Sequence, residues 1–210
     1  MHLIRFVISI FLLTVFPLSA AGHGELYKSA GLSKILSKLA FDAAMDAREK
    51  LQKAGRLKKS DIITIVDYSK PSKEKRFFVI DIKKQKILFH ELVAHGKGSG
   101  IDSATDFGNS DGTHMSSLGA FVTADTYLGK HGYSLALDGM DKGVNDNARA
   151  RAIVVHGAWY VSVKFVKQHG RTGRSWGCPA LDEAISKKVI DTIKNGSLLY
   201  IWTDVKPSHN

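Results

Sequence analysis

Residues 152–157 read Ala152-Ile153-Val154-Val155-His156-Gly157. Three consecutive β-branched residues in so short a run predict a buried strand, and that strand ends on an imidazole. The flanking segments settle the fold class. Downstream, residues 182–194 carry a helical pattern with Gly196 beyond it, and Leu198–Trp202 reads as a last strand. Upstream, residues 120–127 and 133–138 are strand-like runs around Gly129-Lys130-His131-Gly132. Further back, residues 61–68 form a β-branched run, and residues 76–82 and 87–93 flank the polar turn Lys83-Lys84-Gln85-Lys86 as a hairpin. Residues 96–119 are rich in Gly, Ser, Asp and Asn and long for a structureless connection, which marks functional loops. Residues 159–168 fit helix and strand equally. The chain is therefore α+β and mostly β.

One long helix is expected at the N-terminal side. Leu32, Ile35, Leu36, Leu39, Ala43, Ala47 and Leu51 follow the helical period over residues 33–54, with Ser33 as N-cap and Gly55 as the stop. Ahead of it, residues 1–21 have the form of a secretory signal. Arg5 precedes the apolar run Phe6–Phe16, which is too short to cross a bilayer at ~20 residues, and Ser19-Ala20-Ala21 supplies a small-residue exit. An uncleaved anchor is the competing reading. The expected division is thus a signal over 1–21, a helical segment over 22–58 and a main domain over 59–205.

Composition narrows the partners. The 210 residues hold 30 Lys and Arg against 20 Asp and Glu, a net charge of +10. Cleavage would remove Arg5 and leave 29 against 20, or +9. Such a balance favours an anionic partner without choosing among wall polymer, membrane and nucleic acid. Nucleic acid is not expected, because export removes the chain from it and no recognition motif is present. The single Cys rules out an intrachain disulfide and a Cys-rich zinc site.

Two apparent motifs fail. His90 and His95 in His90-Glu91-Leu92-Val93-Ala94-His95 are five apart in a strand-like segment, whereas the zinc-protease pair is four apart on a helix. Gly96-Lys97-Gly98-Ser99-Gly100 matches no phosphate or dinucleotide spacing and reads as a flexible loop. No metal and no cofactor is expected.

One constellation remains. Cys178, in Arg174-Ser175-Trp176-Gly177-Cys178-Pro179, follows His156 by twenty-two residues. A lone thiol in an oxidising compartment is either an inert core residue or one kept for reactivity. A reactive one needs a neighbouring imidazole or positive potential to ionise. Pro179 has no N–H, so an oxyanion donor beside the sulfur would come from Cys178 or Gly177.

His156-Gly157 followed by Ser175-Trp176-Gly177-Cys178 resembles the signature of the L,D-transpeptidase (YkuD-like) catalytic domains. The murein L,D-transpeptidase subgroup is similar over more of the chain, at residues 93–98, 114–119, 129–133, 145–151 and 175–181. The resemblance implies a β-rich fold and a ping-pong acyl transfer between peptidoglycan stem peptides in the periplasm, by a monomer without cofactor. Cys178 would be the nucleophile, His156 the base oriented by the Gly157 carbonyl, and the Gly177 and Cys178 N–H groups the oxyanion hole. The product would be a 3→3 crosslink. An L,D-carboxypeptidase or endopeptidase is the alternative in the same fold, and a non-catalytic wall-binding protein the alternative outside enzymes. Carbapenems would acylate the same thiol. The sequence departs from the family pattern where Trp176 replaces the His of the box and where Ala180 stands in place of Arg or Asn. Arg149, Arg151 and Arg174 are therefore the candidates to grip stem carboxylates. Ser175, Trp176 and His114, with His95 and Tyr133, are the candidates to line the cleft.

Overall fold

The computed structural model describes residues 20–205. The expected signal over 1–21 lies outside these residues except for its last two positions. Helix α1 (Ala20–Ser29), a 3-10 turn (Leu32–Lys34) and helix α2 (Lys38–Lys53) precede strands β1 (Ile62–Asp67), β2 (Phe77–Asp81) and β3 (Lys86–Glu91). A second 3-10 turn (Lys97–Ser99) leads to β4 (Gly119–Gly129), β5 (Gly132–Gly139) and β6 (Val154–Gly157). Helix α3 (Val163–His169), β7 (Ala180–Leu181), α4 (Glu183–Ile193) and β8 (Leu198–Trp202) complete the chain.

The eight strands form one sheet in the order β3-β2-β1-β8-β4-β5-β6-β7. A bridge between Ala94, just beyond β3, and Ala180 of β7 brings its two ends together. The β1–β8 and β6–β7 pairs are parallel and the rest antiparallel. Strict alternation splits the side chains between two cores. Ile63, Ile65, Phe78, Ile80 and Leu198 pack with Phe41, Ala44 and Met45 of α2. Val66, Phe77, Val79, Leu199 and Ile201 pack with Val189, Ile190 and Ile193 of α4. With apolar side chains on both faces, β1 and β2 are buried almost throughout. Each large side chain so buried contributes ~1.5–3 kcal/mol.

The single helix expected over 33–54 is broken. Ser37, not Ser33, caps α2, its hydroxyl accepting from the Ala40 N–H at 3.4 Å. The break resets the helical phase. Leu39, placed on the apolar stripe from sequence, is 67% exposed, and Ala40, Phe41, Ala44 and Met45 are buried instead. Residues 159–168, undecided from sequence, hold α3 with Ser162 as its N-cap.

Two features position the cleft. The β4–β5 hairpin overhangs it, because β8 pairs only with Gly119–Val122 and the outer part of β4 pairs with β5 alone. On the other side, the Gly-rich segment after β3, expected to be flexible, is packed against the Cys178 box. A Cβ on Gly96 would fall 2.3 Å from the His114 carbonyl and 2.9 Å from the Gly177 Cα, so only glycine lets these three segments meet.

Candidate active site

A cavity of ≈ 370 Å³ opens between the β4–β5 hairpin and the segment leading into β7. Both Cys178 and His156 line it. Register explains the pairing, because β7 lies parallel to β6 with Ala180 opposite His156, and Cys178 enters two residues before. The box is stitched from both sides. The Ser175 N–H donates to the His95 carbonyl (3.0 Å), and the Lys97 N–H donates to the Ser175 carbonyl (2.7 Å). The Ser116 hydroxyl donates to the Gly177 carbonyl (3.2 Å). Gly177 itself has φ 115, a conformation that favours glycine.

Around His156 the geometry is specific. Its Nδ1–H donates to the Gly157 carbonyl (2.8 Å), which leaves Nε2 with the lone pair. The His131 ring, from the hairpin tip, stacks on it at 4.5 Å and 22°. The thiol donates to the Ala152 carbonyl at 3.7 Å. Ala152 holds φ 52, uncommon for a residue with a side chain, directly beside the sulfur. The cavity thus holds a cysteine and an oriented imidazole together, the residue types that nucleophilic acyl transfer uses.

The sequence profile of the L,D-transpeptidase catalytic domain matches residues 32–202. The chain belongs to that family. Solved structures similar to this L,D-transpeptidase domain include an L,D-transpeptidase from Mycobacterium smegmatis (13% identity, TM-score 0.41, 68% of this chain and 58% of that one). The helical cell shape determining protein Pgp2 from Campylobacter jejuni aligns at 13% identity and TM-score 0.45, over 70% of this chain and 48% of its own. An L,D-transpeptidase from Stackebrandtia nassauensis aligns at 16% identity and TM-score 0.40, over 87% of this chain and 76% of its own. The chain thus spans about half to three-fifths of the first two. No curated protein matches it.

The candidates of the L,D-transpeptidase domain separate into groups. Arg174, Ser175 and Trp176 line the cavity with Cys178 and His156. Trp176 is 65% exposed, stacks on His114 (4.6 Å, 15°) and lies under the Lys130 ammonium (5.5 Å). His114 supports the rim through this contact and is not itself among the cavity-lining residues. Ser175, on the cavity wall, is also tied into the box: its hydroxyl donates to the Cys178 carbonyl (2.6 Å) and accepts the Gly177 N–H (3.1 Å). That bond engages the Gly177 N–H expected in the oxyanion hole. Arg151 reaches the cavity but spends its guanidinium on Gly108 O (2.9 Å), Ser117 Oγ (2.7 Å) and Met115 O (2.7 Å), pinning the 108–117 loop.

Arg149 is not brought to the site. It pairs with Asp138 at 2.7 Å and lines a separate cleft with Arg56 and Lys58, because the polar loop before β6 turns it outward. His95 does not line the cleft either, being fully buried beneath it. Tyr133 donates to Asp191 (2.8 Å) on α4. In their place the cavity gains Tyr127, Lys130, His131 and Tyr160. The Gly129–Gly132 signal marked the hairpin, but nothing local indicates that its tip folds over His156. A Cβ on Gly173 would sit 2.6 Å from Tyr160, so glycine there lets the segment ahead of Cys178 pack against that wall.

Burial is the largest influence on the ionisation of both groups. Desolvation raises the Cys178 thiol above 9.0, against the lowering influence of the Val154 N–H, Arg151 and Lys130. Desolvation likewise lowers His156 below 6.5, with the facing His131 adding to the fall. Burial thus favours the uncharged form of both groups. The ultraviolet absorbance of a thiolate, taken as wild type minus Cys178→Ala, is expected to emerge at higher pH than that of an exposed cysteine. A thiolate signal already present at pH 7 would contradict this.

Proposed function

We propose that the protein is a peptidoglycan L,D-transpeptidase that passes an acyl group from one stem peptide to another through a thioester on Cys178. The observation that supports this most is the shared cavity of Cys178 and His156, with the His156 Nδ1–H tied to the Gly157 carbonyl. That tie commits Nε2 to proton transfer. In the first half, the Sγ–H proton passes to Nε2 while Sγ attacks the carbonyl carbon at the L-centre of diaminopimelate. The oxyanion forms beside the Cys178 N–H. Burial keeps the neighbouring Tyr160 hydroxyl protonated, its pKa pushed up to about 12, so it is available as a further donor. Collapse breaks the bond to D-Ala, whose amine leaves with the proton held by His156.

In the second half, the side-chain amine of a neighbouring stem attacks the thioester carbon and gives a proton to His156. The carbon–sulfur bond breaks, and the departing sulfur recovers its proton. One amide has replaced another, and no cofactor or net hydrolysis is needed. The exposed Trp176, with Lys130 over its ring and Arg174 on the cavity wall, supplies aromatic and cationic contacts for the stems.

We further assign residues 1–21 to an export signal, the site of action to the periplasm, and the working form to a monomer. The main domain is 59–205, with residues 22–58 as a helical brace. Among the described residues no helix is long and apolar enough to cross a membrane. Incubation of the mature protein with tetrapeptide muropeptides tests the reaction. A 3→3 dimer with release of D-Ala is expected, and its loss in Cys178→Ala. Tripeptide accumulating without dimer would assign hydrolysis instead.

A further inference from the structure

The chain between the two catalytic residues has a surface that the acyl transfer does not use. From Gly157 to Leu181 it holds Lys164, Lys167, Arg171 and Arg174 and no Asp or Glu. Its inner side is anchored, since Ala158 and Val161 are buried against Leu92, Ala94 and Ala180, with Tyr160 and Val166 packed on them. Its outer side is an aromatic row. Trp159, 70% exposed, meets Tyr160 edge-on (5.8 Å, 81°) and Phe165 edge-on (5.7 Å, 71°), and Phe165 lies over His169 (4.2 Å, 35°). Tyr160 is also a wall of the Cys178 cavity, so the row runs from the catalytic cleft onto α3. Lys164 and Lys167 flank it, exposed. Isolated exposed apolar residues are ordinary, but a braced row of rings leading out of a cleft is the mark of a binding surface.

We propose that this row is the docking site for the glycan strand that carries the donor stem, an inference that rests on the murein reading above. When a stem enters the cavity, the sugar backbone it hangs from must lie alongside, and the aromatic row that continues from Tyr160 offers it a surface. The C–H faces of pyranose rings stack on Trp159 and Phe165, as positively polarised groups do on aromatic faces. Carboxylates of neighbouring stems on the same strand meet Lys164 and Lys167.

The test compares two substrates of the mature protein: purified sacculi and a soluble tetrapeptide stem without sugar. Trp159→Ala is expected to raise KM on sacculi about tenfold, the effect of one lost stacking contact. It is expected to weaken pelleting with sacculi alike, and to leave tetrapeptide turnover and carbapenem acylation of Cys178 unchanged. Trp159→Phe restores most of the binding. Equal losses on sacculi and tetrapeptide would overturn the proposal, as would unchanged pelleting. Peptide-free glycan strands should bind the wild type and not Trp159→Ala; failure to bind the wild type would also overturn it, in favour of contacts to the stem alone. If the wild type turned over neither substrate, the transpeptidase reading would fall, while the pelleting comparison would still decide the glycan site.

Discussion

His156→Ala lowers the rate of Cys178 acylation by ~10²–10⁴-fold at pH 7, with the protein folded and KM little changed. The size follows from the state of the thiol. Burial pushes the Cys178 thiol up, so its proton has to be taken for the sulfur to attack. Without the imidazole, only the fraction of Cys178 that ionises unaided reacts. The wild type is expected to be flat across neutral pH, with its acid limb, where His156 protonates, displaced below the ordinary imidazole range by burial. The variant instead gains about tenfold per pH unit until the thiol itself titrates. Rapid-mixing kinetics across pH distinguishes the two profiles. A flat, near-native rate in His156→Ala would mean that some other group removes the proton. His131 is the neighbour to examine in that event, because it stacks directly on the base.

Arg76→Leu is the second severe change, and its effect is on stability. Arg76 is fully buried, and its guanidinium hydrogen bonds run to two backbone carbonyls and an imidazole. Its Nε and Nη2 donate to the Val93 carbonyl (3.2 and 3.0 Å), Nη1 to the Lys70 carbonyl (2.7 Å) and Nη2 also to His95 Nδ1 (2.7 Å). The guanidinium also stacks on Tyr68 at 4.6 Å. Removing it leaves buried acceptors without donors, at a cost of ~3–5 kcal/mol. For a domain of this size that lowers Tm by roughly 6–20 °C. Because His95 also bonds the box through the Ser175 N–H, carbapenem acylation slows in the variant even below its Tm. A Tm within 2 °C or so of wild type would show the network to be dispensable.

The same network sets an acid limit. His95 accepts from Arg76 and donates from Nε2 to the Gly100 carbonyl (3.3 Å), so the fold needs it neutral. Desolvation and the Arg76 charge hold its pKa down to about 3. In the unfolded chain it protonates near 6.5, so the unfolded state binds more protons between these values and stability falls as pH drops below 6.5. The loss approaches about 1.4 kcal/mol per pH unit, measurable by urea unfolding at pH 7 and pH 5. Equal stability at the two pH values would contradict it.

The strands were readable because β-branched alternation is a local signal, and all of them except β7 lie where that signal places them. Only two residues long, β7 is held by its pairing with β6 and the Ala94 bridge, which no local pattern encodes. The helical break at Ser37 was hidden because Leu32, Leu36 and Leu39 keep the period across it, while only the cap reveals the change of phase. At the site, Cys178 and His156 stood out by residue type, spacing and family likeness. Their neighbours did not. Lys130 and His131 arrive through the overhang of a long hairpin, and the fate of each arginine depends on which carbonyl or carboxylate lies within reach. Long, flexible cations carry little sequence signal of their destination.

The proposed chemistry passes through one sulfur, and intact-mass spectrometry of carbapenem-treated protein examines that sulfur directly. Wild type is expected to gain the mass of one carbapenem, and Cys178→Ala, folded and at the same concentration, to gain nothing. An adduct on Cys178→Ala, or none on wild type, would contradict the assignment of Cys178 as the nucleophile.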